Sequence, residues 1–235
     1  MSKVEAYEAK LNDFFDRYDV TPTQGQFDAL ICFSYNFGTG WMSGTSDLVK
    51  IARGEKDATR LEVAHAFGEW CHSGGQAQAG LADRRLQEAA IFLDDDPRAA
   101  EDEFAYLIIN KESGVSYETD FAVYEIGESY ESFPKMEKLG YSFAGLMTKD
   151  GRTITESSTV RGSVVATAQW TATSYTGRTY SDVNRSDWFY NYVMELSQQG
   201  IVGGNDDGTF APNRATSTGE MLKLLLLATG HKVQS

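Results

Sequence analysis

The chain has 235 residues, 41% hydrophobic and 12% aromatic, which excludes global disorder and leaves room for one to three packed units. A formal net charge of −13, with acid in excess in every third of the chain, excludes nucleic acid as the main partner, because phosphate binding needs Lys and Arg to displace counterions. No basic-then-apolar leader opens the sequence, and no apolar run reaches membrane-spanning length, so neither a signal peptide nor a membrane span is expected.

Residues 3–18 carry Val4, Tyr7, Leu11, Phe14, Phe15 and Tyr18 at spacings of three and four, one apolar face of a helix. Thr21-Pro22-Thr23 breaks that pattern, and Thr23 with Gln26 three positions on forms a capping signature for a second helix. From Phe27 to Tyr35 the run is apolar nearly all round, which predicts burial at a domain centre. Further helices are expected over 59–72, with Leu61, Ala64, Phe67 and Trp70 in one stripe, and over 80–93.

Asp94-Asp95-Asp96-Pro97 then reads as a boundary, since like charges before a proline disfavour helix. Beyond it the period changes from 3.6 to 2. Strands are expected over 104–110, 121–126, 141–146 and 163–170, separated by turns such as Lys149-Asp150-Gly151. Thr171 to Arg178 is a polar linker, after which 187–199 and 217–229 regain helical spacing around a Gly200–Arg214 loop. Three periodicities predict three modules in a multidomain α+β chain.

Cys32 and Cys71 are too few for a disulfide scaffold and are read first as small buried hydrophobes, their pairing left open. Glu62, His65 and Glu69 form a helical stripe without a firm fourth ligand, so no metal site is assigned. Gly38-Thr39-Gly40 lacks the ending a phosphate loop requires, and adjacent Cys71-His72 is no evidence of a nucleophile–base pair. No cofactor is implied.

Gln26-Phe27-Asp28-Ala29-Leu30, Phe33-Ser34-Tyr35-Asn36-Phe37-Gly38, Trp70, Gly74-Gly75, Gly80-Leu81, Arg84-Arg85 and Glu88 agree in order and spacing with one family. Over residues 3–93 the chain resembles the C-terminal lobe of the phage-type lysozymes, the muramidases of phage endolysins. The resemblance implies hydrolysis of the bond between N-acetylmuramic acid and N-acetylglucosamine. It also makes Asn36, Trp70, Gly74, Gly75, Arg84 and Arg85 candidates for lining the peptidoglycan cleft, although an arginine paired locally with Asp83 or Glu88 is an equally open reading. Asn36 and Gly38 suit a helix end that needs left-handed backbone, and Gly74 and Gly75 a loop approached closely by a ligand or another chain.

In that family the general-acid glutamate, its partner aspartate and a threonine belong to an N-terminal lobe preceding a long connecting helix, which residues 3–18 resemble. The expectation is a chain that begins at this hinge, so no catalytic residue is assigned. Glycoside cleavage needs a carboxyl of raised pKa and a second group across the bond. Glu5 with Glu8, and Asp13 with Asp16, read instead as solvated surface pairs.

Gly127-Glu128-Ser129-Tyr130, Phe133-Pro134, Gly140 to Gly145 and Ala168-Gln169-Trp170-Thr171 resemble the Listeria–Bacteroides repeat of internalin B-type surface proteins, although Leu146 stands where that family has tryptophan. The resemblance implies a spacer or adhesive stalk without an active site. Tyr180-Ser181-Asp182-Val183, Trp188-Phe189, Gly200 to Gly204, Asp207 to Pro212 and Glu220 resemble an S-layer homology domain, which anchors proteins to secondary cell-wall polysaccharide. Asp182, Trp188, Gly204, Asp207 and Gly208 are the candidates for that polymer. Where that family has Thr-Arg-Ala-Glu, this chain has Ser217-Thr218-Gly219-Glu220, and Thr218 carries no charge.

The expected architecture is therefore an all-α lysozyme-like lobe over 1–95, a small β-rich repeat domain over 104–172 and a small helical S-layer homology module over 179–232. The expected partners are peptidoglycan and secondary cell-wall polysaccharide, at the cell wall or the extracellular surface. Hydrolysis by these 235 residues is expected to be negligible, and a non-enzymatic wall-binding or adhesive protein is the alternative.

Overall fold

A computed structural model of the chain describes residues 2–231. Met1 and Lys232, the outer limits expected for the first and third modules, lie outside the described residues. The chain divides into two compact units, one of residues 1–136 and 144–169, the other of residues 137–143 and 170–235.

The first unit opens with α1 (Lys3–Tyr18) and α2 (Gln24–Phe37). Both begin with reciprocal capping boxes, Ser2 with Glu5 and the expected Thr23 with Gln26, which satisfy two orphan amides at each start. Leu11, Phe14 and Phe15 are the buried part of the α1 stripe, while Val4 stays exposed. A 3-10 turn (Gly40–Ser43) and the short α3 (Asp47–Ala52) follow. The helix expected over 59–72 is α4 (Arg60–Gly68) continued by a 3-10 turn (Glu69–Cys71), where Trp70 leaves helical geometry.

A small hairpin, β1 (His72–Ser73) with β2 (Gln76–Ala77), leads into α5 (Ala79–Asp94), and Asp95 closes α5 in the left-handed region at φ 58°. The tri-aspartate thus ends the helix as expected. Past Pro97 a single turn, α6 (Ala99–Glu103), precedes the strands. The Arg60 guanidinium reaches both Asp94 and Glu103, tying the ends of α4, α5 and α6 together.

The strands are β3 (Phe104–Ile109), β4 (Val115–Tyr117), β5 (Phe121–Glu125), β6 (Met136–Lys138), β7 (Tyr141–Thr148), β8 (Thr153–Ile154) and β9 (Val164–Ala172). Five of them form a mixed sheet ordered β5-β3-β9-β7-β8. Central β3 pairs antiparallel with β5 (Tyr106 opposite Val123) and parallel with β9 (Ile108 opposite Val165). All six β3 residues are buried, as a strand covered on both faces requires.

What covers one face is the helical segment. Phe104, Tyr106, Ile108, Phe121 and Val123 share one hydrophobic core with Leu11, Leu30, Phe33, Phe67 and Phe92. Gly68 makes that contact possible, because a Cβ there would lie 2.6 Å from the Phe121 ring and 3.2 Å from Val123.

In the second unit, Tyr180, Val183, Val193 and Met194 form a core around α7 (Tyr190–Gln198). The last helix, α8 (Thr218–Ala228), is capped by a Ser217–Glu220 box and buries none of its residues.

Candidate functional site

Asn36 and Phe37 end α2, and Gly38 stops the helix at φ 76° while its amide donates to Ser34 O at 2.7 Å. The left-handed position thus falls on Gly38, and Asn36 remains helical, contrary to the expectation that both would be needed there. One turn of α5 brings Arg85 up beneath them. Its guanidinium lies 4.9 Å from the centroids of both Phe33 and Phe37, and Trp70 packs edge-on against the same two rings at 5.4 Å.

Arg85 Nη2 donates to Glu88 Oε1 at 2.8 Å and to Asn36 Oδ1 at 3.4 Å. Arg85 is fully buried and Glu88 almost so. Burial pushes the Glu88 carboxyl up to about 7, against the pull of Arg85 and Arg84. The local-pair reading of an arginine therefore applies to Arg85, with Glu88 as its partner. Arg84, one residue earlier in mid-helix, is exposed.

Asn36, Trp70 and Arg85 are thus brought together around Phe37, while Gly74 and Gly75 belong to the adjoining hairpin. His72 pairs with Ala77 and Ser73 with Gln76, leaving the two glycines as the whole loop, at φ 61° and 80°. Positive φ at both central residues is the twist-matched two-residue turn, and it is why glycine stands at both positions. A Cβ at either would meet nothing within 4 Å, so the side-chain direction of both glycines is open.

The hairpin is held by residues the sequence reading missed. Asp120, just ahead of β5 and 2% exposed, accepts from His72 Nε2 at 2.7 Å and from the Ala77 amide at 3.1 Å. Lys111 Nζ lies 3.4 Å from the same carboxylate and donates to Gly75 O at 2.8 Å. Burial would push the Asp120 carboxyl up, but the His72 bond, the Ala77 amide and Lys111 outweigh it and hold it below the ordinary range. The signal available in sequence was a lone charge opening an apolar strand.

Both cysteines are free. Cys71 is buried, whereas Cys32 is exposed, which corrects the reading of both as core hydrophobes. Glu62 serves the α4 cap and Lys56, and no metal-holding group of His, Cys, Asp or Glu exists among the described residues.

In the second unit four of the five polysaccharide candidates build a loop. Asp182 accepts from the amides of Phe210 and Ala211, both at 2.7 Å. Those bonds, chiefly that of Phe210, hold its carboxyl below the ordinary range. Asp207 Oδ1 accepts from the Thr209 amide and hydroxyl at 3.0 and 2.6 Å, and Gly208 O accepts from the Ser181 amide at 3.1 Å. Gly204 has φ 63° and no room for a Cβ, which would lie 2.3 Å from the Tyr180 ring. Trp188 is different: it is 83% exposed, flanked by Phe189 and Tyr192 with ring centroids 5.6 and 6.3 Å away.

Comparison with known proteins finds family matches towards both ends of the chain. Residues 1–88 match the phage lysozyme family model, and residues 179–222 match the S-layer homology domain model. The chain is similar to the endolysin of Bacillus phage PZA, 42% identical over 79 residues that make up 34% of this chain and 29% of that protein. It is also similar to the endolysin of Bacillus phage B103, 37% identical over 87 residues, 35% of this chain and 32% of that protein. The chain thus spans less than a third of the length of either relative. No helix among the described residues is long and apolar enough to cross a membrane.

Proposed function

We propose that this chain is a peptidoglycan-directed cell-wall protein, with a lysozyme-type helical lobe over 1–95, an internalin B-type spacer over 104–172 and a wall-anchoring module over 179–232. The observation that carries this reading is the pair of family matches, one at each end; the cluster of Asn36, Phe37 and Trp70, with the Gly74–Gly75 turn that follows Trp70 in the chain, is the proposed glycan face. An exposed aromatic edge, an amide side chain and an open glycine turn are groups that suit an N-acetylated sugar. The expected location is the cell wall or the outer surface.

The lysozyme-type activity is cleavage between N-acetylmuramic acid and N-acetylglucosamine, and these residues are proposed to bind that glycan rather than cleave it. A general acid must reach the leaving oxygen with its proton. Glu88 has the raised proton affinity, yet it is 4% exposed and bonded to Arg85, so it offers none. Two preparations of sacculi test both parts of the reading. Sacculi stripped of attached polysaccharide are expected to retain the chain through the first unit without releasing reducing sugar, and unstripped sacculi to retain more of it. Robust sugar release would overturn the binding-only reading, and no retention on stripped sacculi would overturn the glycan face.

A further inference from the structure

We propose that Asp120 and Lys111, both supplied by the segment that builds the sheet, are positioning residues that fix the Gly74–Gly75 turn for glycan binding. This role rests on the reading of that face as a peptidoglycan site.

The hairpin has two residues per strand, and even a longer isolated hairpin is marginal in water. Its hold must come from outside. The two residues at its base, His72 and Ala77, are cross-strand partners, and one carboxylate takes both: Oδ1 of Asp120 meets His72 Nε2 and Oδ2 meets the Ala77 amide. The tip is fixed separately, by Lys111 Nζ on Gly75 O. Base and tip are therefore pinned from one direction by two side chains that themselves face each other at 3.4 Å.

A buried carboxylate is a poor way to gain stability, since apolar residues of similar volume often do as well. What it supplies is geometry, because its acceptors demand donors at defined places. The imidazole is held on its other side as well, with Nδ1 3.1 Å from Glu69 O, so His72 spans from the Trp70-bearing turn to the sheet segment. The ends of the hairpin are thus set, while Gly74 and Gly75 look into open space. A rigid turn whose side-chain direction is open is a preorganised contact for a ligand, whereas a loose turn must be ordered when the ligand binds.

The test uses the full chain, stripped sacculi for affinity, and amide resonances of Gly74 and Gly75 followed during titration with chitotetraose. Lys111→Met and Asp120→Ala are each expected to weaken retention on stripped sacculi by roughly tenfold. Both glycine resonances are expected to move in the free protein, and for Lys111→Met the melting temperature is expected to stay put. Arg161→Ala, elsewhere on the sheet segment, is expected to bind as the unaltered chain does. Displaced glycine resonances with unchanged retention would overturn the positioning role. So would an affinity loss confined to variants whose melting temperature has also dropped. Failure of the unaltered chain to bind would instead remove the glycan face itself, a result visible before any variant is made.

Discussion

Arg85 and Glu88 stand three residues apart on α5 and share a 2.8 Å charge-assisted bond inside the first unit, where the arginine has no exposed surface at all. Arg85 Nη1 and Glu88 Oε2 find no further partner among the described residues, so burial governs both groups: it lowers the arginine from its ordinary range and raises the glutamate. The folded chain then holds the Glu88 proton more tightly than the unfolded chain. Its contribution to stability is full below about pH 4.5 and is lost as pH rises through about 7, a change of roughly 3 kcal/mol. Glu88→Gln keeps the shape and an acceptor for Arg85 but cannot ionise. The variant should match the unaltered chain near the lower limit and be the more stable of the two at about pH 8. Thermal unfolding at both values checks this, and an equal difference at each would remove Glu88 as the source.

Gly68 offers a test of how the sheet meets the helices. It lies in α4 with helical geometry at φ −58°, where alanine would ordinarily gain up to about 1 kcal/mol. The Phe121 ring, 2.6 Å from where the new Cβ would sit, reverses that sign. Gly68→Ala is expected to destabilise by about 1–3 kcal/mol, as overpacking does. Denaturant unfolding reads the change, and a stabilised variant would mean that β5 does not press on α4.

That contact also marks where the sequence stopped being legible. The longer helices were readable because they carry their own evidence, such as an apolar stripe in α1, a Thr23–Gln26 cap on α2 and a tri-aspartate after α5, whereas the short α3 and α6 were not anticipated. The strands showed their alternation, and the extents of β3, β5 and β9 follow it closely. What no local pattern states is that Phe121 fits the gap left by a missing side chain 53 positions earlier, or that Asp120 reaches back to His72 and Ala77. Such pairings depend on tertiary packing, so the sheet segment read as a free-standing module although its first strands share the helical core. Nor does any local pattern state that Asp182 holds the amides of Phe210 and Ala211, which lie 28 and 29 positions on.

Trp188 and Asp182 should separate contact from scaffold in the second unit. Trp188→Ala removes an exposed ring and leaves the Tyr180–Val193 core alone, so the melting temperature should hold while retention on unstripped sacculi falls by roughly tenfold, as loss of an aromatic anchor does. Asp182→Ala releases the amides of Phe210 and Ala211, and stability and retention should fall together. Unchanged retention for Trp188→Ala would assign wall contact to another part of the module.

Net charge sets the last expectation. At −13 the chain is repelled by anionic wall polymers, so any attraction works against a long-range field. Raising the ionic strength from about 0.01 M to about 0.15 M shortens the screening length from about 30 Å to about 8 Å. That range removes the repulsion between distant charges but leaves contacts such as stacking on Trp188 nearly untouched. Retention on unstripped sacculi should therefore rise with salt over this interval, and more steeply than on stripped sacculi, which carry less anionic polymer. Retention that falls with salt would mean instead that local cations such as Arg84 or Lys223, both exposed, dominate the encounter.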